Sequence, residues 1–235
     1  MAVVIPWHPR DPLHLLYRTA NTYVQYGFDV IVVAPQLTYK LSFIPRVTQL
    51  KEKIPNVGGA RATGIEHAYR QGYDCIVVSD SHLSLTEDPS TLCRYPTFAS
   101  APHSPVPFVK IYSSHIYLDG NVLYWCTVFN NTETIPMTNE PLIAFRRTFL
   151  DEVIPYIFEY TSYALDYAWM LYSDKYGYIY DKVIFSHDNP LKPIRRPEKA
   201  EVVKLASEWP RLMPKLDQWA QQHQPRRLCA PIATL

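Results

Sequence analysis

Apolar and polar positions fall into two alternating rhythms over the first eighty residues. "AVVIP" at 2 to 6 is a short apolar run closed by proline, and "FDVIVVAP" at 28 to 35 is a second. Between them, "PLHLLYRTANTYVQYG" sets Leu13, Leu16, Ala20 and Val24 at helical spacing. Strand, helix, strand is the predicted order, with Gly27 as the helix C-cap. "GGARATGIEHAYRQGYDCIVVSD" repeats the theme, with a helix-length segment stopped at Gly72 and an apolar strand over 74 to 79. The repeated βαβ rhythm predicts a parallel, doubly wound sheet covered on both faces.

Beyond Leu85 the pattern changes. "EDPSTLCRYPTFASAPHSPVP" reads as a proline-rich loop with at most one helical turn, and "FVKIYSSHIYLDGNVLYWCTVF" alternates until Asp119-Gly120, a hairpin-turn signal. Residues 142 to 152 and 162 to 176 read as helices, the second bounded by Ser162 and Gly177, and "YIYDKVIFSH" follows as extended chain. Residues 198 to 223 read as an amphipathic helical region interrupted at Pro210 and Pro214.

With 235 residues, 47% of them hydrophobic, the chain has material for one large α/β domain. We assign residues 1–190 to it and residues 191–235 to a basic loop and C-terminal helical extension packing on it. Lys and Arg number 23 against 22 for Asp and Glu, so the charge balance gives no basis for sequence-independent nucleic-acid binding. Cys75, Cys93, Cys126 and Cys229 show no metal-ligand spacing, and Cys75 sits in an apolar run as a small core residue. Unpaired cysteines and a cytoplasmic location are the expectation. No stretch reaches the roughly 18 to 20 apolar residues of a membrane span, and "MAVVIPWHPR" lacks the pattern of a leader.

The candidate chemistry begins where the strand over 74 to 79 ends, at Asp80-Ser81-His82. Ligands of open α/β sheets bind at the carboxyl ends of strands, where strand order reverses. A carboxylate and an imidazole two residues apart can meet one cation, and that donor pair suits Mn²⁺ or another first-row ion better than Ca²⁺. Alone, such a triplet reads as a turn. "GGARATGI" puts Gly59 and Arg61 at a helix N-terminus, where free amides and a guanidinium fork suit an anion.

The ordered segments "VVIPWHP", "DVIVVAP", "GGARATGIEHAYRQGYDCIVVSDSH", "EPLIAFRRTFLDEV" and "YALDYAWMLYSDKYGYIYDKVIFSH" resemble the nucleotide-sugar-dependent glycosyltransferases of the GT-A fold, over roughly residues 2 to 188. The D-x-H at Asp80, Ser81 and His82 is similar to that of the polypeptide N-acetylgalactosaminyltransferases. The resemblance implies a Rossmann-like, mostly parallel sheet flanked by helices. It further implies a divalent metal, Mn²⁺ before Mg²⁺, held by Asp80, His82 and His187 against the diphosphate of a nucleoside diphosphate sugar. Gly59, Arg61 and Ser81 would line the donor, and Arg195 and Arg196, in a basic loop with Lys192 and Lys199, would close on its diphosphate. Asp166 would be the later acid, acting on the acceptor, with retention slightly favoured by the D-x-H form. Trp169 is the candidate pocket wall.

Two departures stand out. Pro35 and Gln36 follow the second strand where the family commonly has an acid, and Leu165 rather than a second acid precedes Asp166. A sugar nucleotidyltransferase is the rival reading, but "IPWHPRDP" has no glycine for a phosphate loop after the first strand. A noncatalytic binding protein of the same fold is the third. The C-terminal helices could pair two copies, and the Tyr/Trp-rich region or the basic tail "PRRL" could touch a membrane surface.

Overall fold

A computed structural model of the chain describes residues 1–37, 41–106, 109–129, 133–136, 141–159, 171–188 and 199–234. The βαβ rhythm is present as strand β1 (Ala2–Pro6), helix α1 (Leu13–Gln25) and strand β2 (Asp29–Ala34). Then come β3 (Val47–Lys51), α2 (Val57–Arg70) and β4 (Cys75–Ser79). β1 and β4 are buried at every residue; their valines and isoleucines fill both faces, as a central parallel strand requires.

Both helices end alike. The amide of Phe28 donates to the Tyr23 carbonyl at 3.0 Å and that of Tyr73 to the Ala68 carbonyl at 3.3 Å. Each bond closes over a glycine in the left-handed region, Gly27 at φ 84° and Gly72 at φ 85°. A side chain would strain that conformation, so the two predicted glycine stops have a backbone cause.

The remaining strands are β5 (Leu83–Leu85), β6 (Phe98–Ser100), β7 (His103–Val106), β8 (Val109–Ile111), β9 (Ser113–Asp119), β10 (Val122–Val128), β11 (Thr134–Ile135), β12 (Leu142–Arg146), β13 (Gly177–Ile179), β14 (Phe185–His187) and β15 (Arg227–Thr234). Further helices among the described residues are α3 (Arg147–Val153) and α4 (Lys199–His223). The central sheet has eight strands in the order β11-β13-β6-β12-β4-β1-β2-β3. β3, β2, β1 and β4 are parallel; β12 is antiparallel to β4 and β6, β13 is parallel to β6, and β11 is antiparallel to β13. The sheet is therefore mostly parallel, with β12 and β11 reversed.

One face is covered by α1 through Leu16, Ala20 and Tyr23 against Val3 and Ile5. The other is covered by α2, α3 and the end of α4, where Ile65, Phe149 and Trp219 meet Val4 and Phe145. β9, β10 and β15 form a separate three-stranded sheet. Asp119 pairs with Val122 there, with Gly120 in the turn between them, as the Asp-Gly signal predicts.

Several expectations are corrected. Residues 142–146 are a strand, not the start of a helix: "LIAFR" is buried at its first four positions and slots between β4 and β6. A short, wholly apolar run carries no periodicity to separate the two. α4 runs through both prolines without interruption. Its buried positions Leu205, Trp209, Leu212, Leu216 and Trp219 lie on one side, while Pro210 and Pro214 are exposed on the other. The apolar face of α4 packs on Leu118 and Leu123 of the same chain. The tail after Arg226 is strand β15 rather than helix, paired antiparallel with β10. Arg227 stacks over the Tyr117 ring at 5.3 Å.

The cysteine expectation is also overturned, because all four are paired. Cys75 on β4 bonds Cys93 in the turn Pro89–Arg94, and Cys126 on β10 bonds Cys229 directly opposite it on β15. Separations of 18 and 103 residues mark no pairing in a sequence; only the fold brings the sulfurs together.

Candidate functional site

β4 ends at Ser79, and the Asp80 amide donates to the Pro141 carbonyl at 3.0 Å, which fixes where the carboxylate leaves the sheet. The chain turns through Ser81 and His82 into β5, and β5 pairs with β14 so that Leu83 faces His187. This small ribbon carries the distant histidine back to the strand end. One ligand atom each from Asp80, His82 and His187 lies within 4.8 Å of the others. His82 Nε2 is 3.1 Å from His187 Nε2, and His187 Nε2 is 3.5 Å from Asp80 Oδ2. The three predicted ligands are thus brought together.

Arg61, on the second turn of α2, points its guanidinium at the same carboxylate, with Nη2 2.8 Å from Asp80 Oδ1. Burial pushes the Asp80 carboxyl upward, but the hydrogen bond to His187, the Arg61 charge and the two imidazoles outweigh it and hold it well below the usual carboxylate range. The carboxylate is therefore anionic near neutrality, as a metal ligand must be.

Groups around the triad fix it. The buried Thr19 hydroxyl of α1 lies 3.2 Å from the Ser81 carbonyl and 2.9 Å from that of Leu83, so it clamps the chain on either side of His82. The Asp188 amide donates to the His82 carbonyl at 3.1 Å. The Asp188 carboxylate takes bonds from Ser84 Oγ at 3.0 Å and from Arg18 of α1. Ser81 Oγ sits 3.4 Å from His82 Nδ1. A proton on that Nδ1 leaves the Nε2 lone pair facing the centre, the tautomer a metal ligand needs.

The structure places the other predicted residues as follows. Ser81 is buried and turned toward His82, not outward. The Gly59 amide is not free for an anion, because Asn56 Oδ1 caps it at 2.7 Å. Glycine there answers a packing need: a Cβ would come within 2.4 Å of the Ile54 carbonyl oxygen. Asp166, Trp169, Lys192, Arg195 and Arg196 lie outside the described residues. Thr19, Arg18 and Asp188 were missed; a threonine on the apolar stripe of α1 was the one available signal.

A cavity of about 500 Å³ lies between the segments after β1 and β2, lined by Trp7, Arg10, Asp11, Leu13, Gln36 and Leu37 among others. Strand order reverses at β1, the position at which open α/β sheets bind ligands.

The architecture is a mixed α/β fold with a large central sheet flanked by helices, as expected. Among solved structures, HddC from Yersinia pseudotuberculosis matches with a TM-score of 0.53 at 13% identity, over 88% of this chain and 99% of that one. The mannosyltransferase PcManGT from Pyrobaculum calidifontis, in complex with GDP-Man and Mn²⁺, matches with a TM-score of 0.41 at 16% identity, over 64% of this chain and 45% of that one. No family model matches the sequence. The chain is 30% identical over 173 residues to the uncharacterized 26.8 kDa protein of Thermoproteus tenax virus 1 (strain KRA1), covering 71% of each. It belongs to the same family as that viral protein.

Proposed function

We propose that the protein is a metal-dependent glycosyltransferase that moves a sugar from a nucleoside diphosphate sugar to an acceptor hydroxyl. The observation that carries this reading is the convergence of Asp80, His82 and His187, with Arg61 alongside, at the carboxyl end of the sheet. The donor set fits a divalent ion. The 3.1 Å between the two Nε2 atoms lies in the roughly 2.9–3.4 Å spanned by two imidazole nitrogens bound to one ion at about 2.0–2.1 Å. One carboxylate with two imidazoles suits a first-row divalent ion over Ca²⁺, and the resemblance to GT-A glycosyltransferases puts Mn²⁺ first and Mg²⁺ second. When bound, the ion neutralises charge on a departing diphosphate.

The residues of the chain divide the remaining work. Arg61 holds Asp80 ionised and offers a guanidinium beside the diphosphate. Arg195 and Arg196 add cationic donors to the same group. In the transfer, a bond forms between the acceptor oxygen and the anomeric carbon while the bond from that carbon to the diphosphate oxygen breaks. For an inverting enzyme Asp166 takes the acceptor proton; for a retaining one, the outcome the D-x-H favours, Asp166 orients hydroxyls. The absence of glycine from "IPWHPRDP" weighs against nucleotidyl transfer.

The test is incubation with a panel of nucleotide sugars and Mn²⁺, following nucleoside diphosphate and pyrophosphate separately. Diphosphate release that disappears with EDTA, with Asp80→Asn and with His82→Ala is the expected result. Pyrophosphate exchange would instead identify a nucleotidyltransferase, and undiminished transfer by both variants would sink the metal assignment.

A further inference from the structure

We propose that Arg18 and Asp188 are positioning residues of the metal centre: they latch helix α1 to the arm that carries His187, and the latch sets how tightly the centre closes on an ion. This rests on the metal-dependent reading above. The three ligands reach the centre on different supports. Asp80 and His82 follow β4, which is paired with β1 on one side and β12 on the other within the eight-stranded sheet. His187 arrives on β14, which pairs with β5 in a two-stranded ribbon outside that sheet. Leu83 and Phe185 sink the ribbon into the core, but apolar burial is non-directional. The direction of the His187 ring needs bonds, and these gather on its neighbour in the chain.

Asp188 is bonded to three separate segments. Its amide donates to the His82 carbonyl at 3.1 Å, its carboxylate accepts from Ser84 Oγ of β5 at 3.0 Å, and the same carboxylate pairs with the Arg18 guanidinium of α1. Thr19, the next residue of α1, holds the β5 side through the carbonyls of Ser81 and Leu83. Adjacent positions on one helix therefore serve the two histidines separately, Thr19 for His82 and Arg18 for His187. The Arg18 and Asp188 side chains are 44% and 28% exposed, so water screens the pair and it adds little to overall stability. Its work is geometric, because a guanidinium meets a carboxylate in a fixed direction. Without Arg18 the arm keeps its pairing with β5 but loses its tie to α1, and an incoming ion must then order His187 at the expense of its own affinity.

Titration calorimetry with Mn²⁺ on the EDTA-stripped full chain tests the latch, with melting of the same metal-free samples alongside. Arg18→Gln and Asp188→Ala are each expected to weaken Mn²⁺ binding about tenfold, the lower end of the range for groups that orient a metal ligand, while metal-free Arg18→Gln melts as the wild type does. Arg18→Lys, which keeps the charge, should recover most of the affinity. Because the two residues act through one contact, the double variant should bind no more weakly than Asp188→Ala alone. Wild-type affinity in Arg18→Gln, or additive losses in the double variant, would overturn the latch; if His187→Ala still abolishes tight binding, the metal centre and the reading built on it stand. A metal-free melting temperature that falls together with the affinity would assign Arg18 to the fold and not to the centre. Absence of Mn²⁺ binding to the wild-type chain would remove the metal-dependent reading and the latch with it. If Asp188→Ala does not fold, Arg18→Gln against Arg18→Lys decides, and equal affinities in the two reject the proposal.

Discussion

His82 Nε2 and His187 Nε2 face each other across 3.1 Å, although 105 residues separate them in sequence. Two bare nitrogens at that distance repel, so either a proton or a cation must lie between them. With Asp80 ionised beside them, the arrangement attracts a cation.

Metal binding should therefore stabilise the fold. An ion that binds only the native state adds about 2.7 kcal/mol at a hundredfold excess over its dissociation constant. Melting followed by calorimetry is expected to show a clear upward shift with Mn²⁺ that EDTA reverses. His187→Ala should abolish the shift while leaving the β5–β14 backbone pairing, and the same shift in His187→Ala would remove that histidine from the ligand set.

Thr19 predicts a second, separable effect. Its hydroxyl serves the carbonyls on both sides of His82, and Thr19→Val leaves them without that donor in a buried place, costing about 1–3 kcal/mol. Because those carbonyls set the direction of His82, Mn²⁺ affinity should fall as well, measured by titration of the folded variant. Thr19→Ser, which keeps the hydroxyl, should restore the affinity. Equal Mn²⁺ affinity in Thr19→Val and wild type would confine Thr19 to a packing role.

The two disulfides should differ in weight. In the chain-entropy account, closing a loop of about 15 residues contributes about 3 kcal/mol and one of about 100 residues about 4.7 kcal/mol. The Cys126–Cys229 pair, spanning 103 residues, should therefore matter more than Cys75–Cys93, spanning 18. Denaturant unfolding of Cys229→Ser and Cys93→Ser gives the comparison, with the larger loss expected for Cys229→Ser.

What could be read from the sequence follows the range of the forces involved. Gly27 and Gly72 are legible because a left-handed helix stop is a local requirement of the backbone. Asp80 and His82 are legible because they sit two residues apart at a strand end, and His187 became so through the order of segments around it. β12 is not, since "LIAFR" has no period and its antiparallel place depends on β4 and β6. Thr19, Arg18 and Asp188 escape for the same reason: each acts through contacts 62 to 170 residues away. Asp166, Arg195 and Arg196 lie outside the described residues, so their expected roles rest on resemblance.

The pH dependence of stability should carry the mark of His115. This side chain on β9 is 2% exposed, opposite Cys126 and edge-on to Trp219 of α4, with a ring separation of 6.4 Å. Among the described residues its Nε2 has no hydrogen-bond partner. Burial, with the nearby Arg227 charge adding to it, pushes the imidazole down from 6.5 to about 4. The folded state therefore holds His115 neutral, while the unfolded chain takes up a proton near pH 6.5. Above that pH the contribution is fully present; between 6.5 and about 4 the unfolded state binds more protons and stability drains away. The loss is on the order of 3 kcal/mol, at 1.36 kcal/mol per unit. Denaturant unfolding from pH 7.5 to 4 should show this slope in the wild-type chain. His115→Phe, which keeps an aromatic edge for Trp219 and removes the titrating nitrogen, should flatten it. An equal slope in His115→Phe would assign the acid sensitivity to another group.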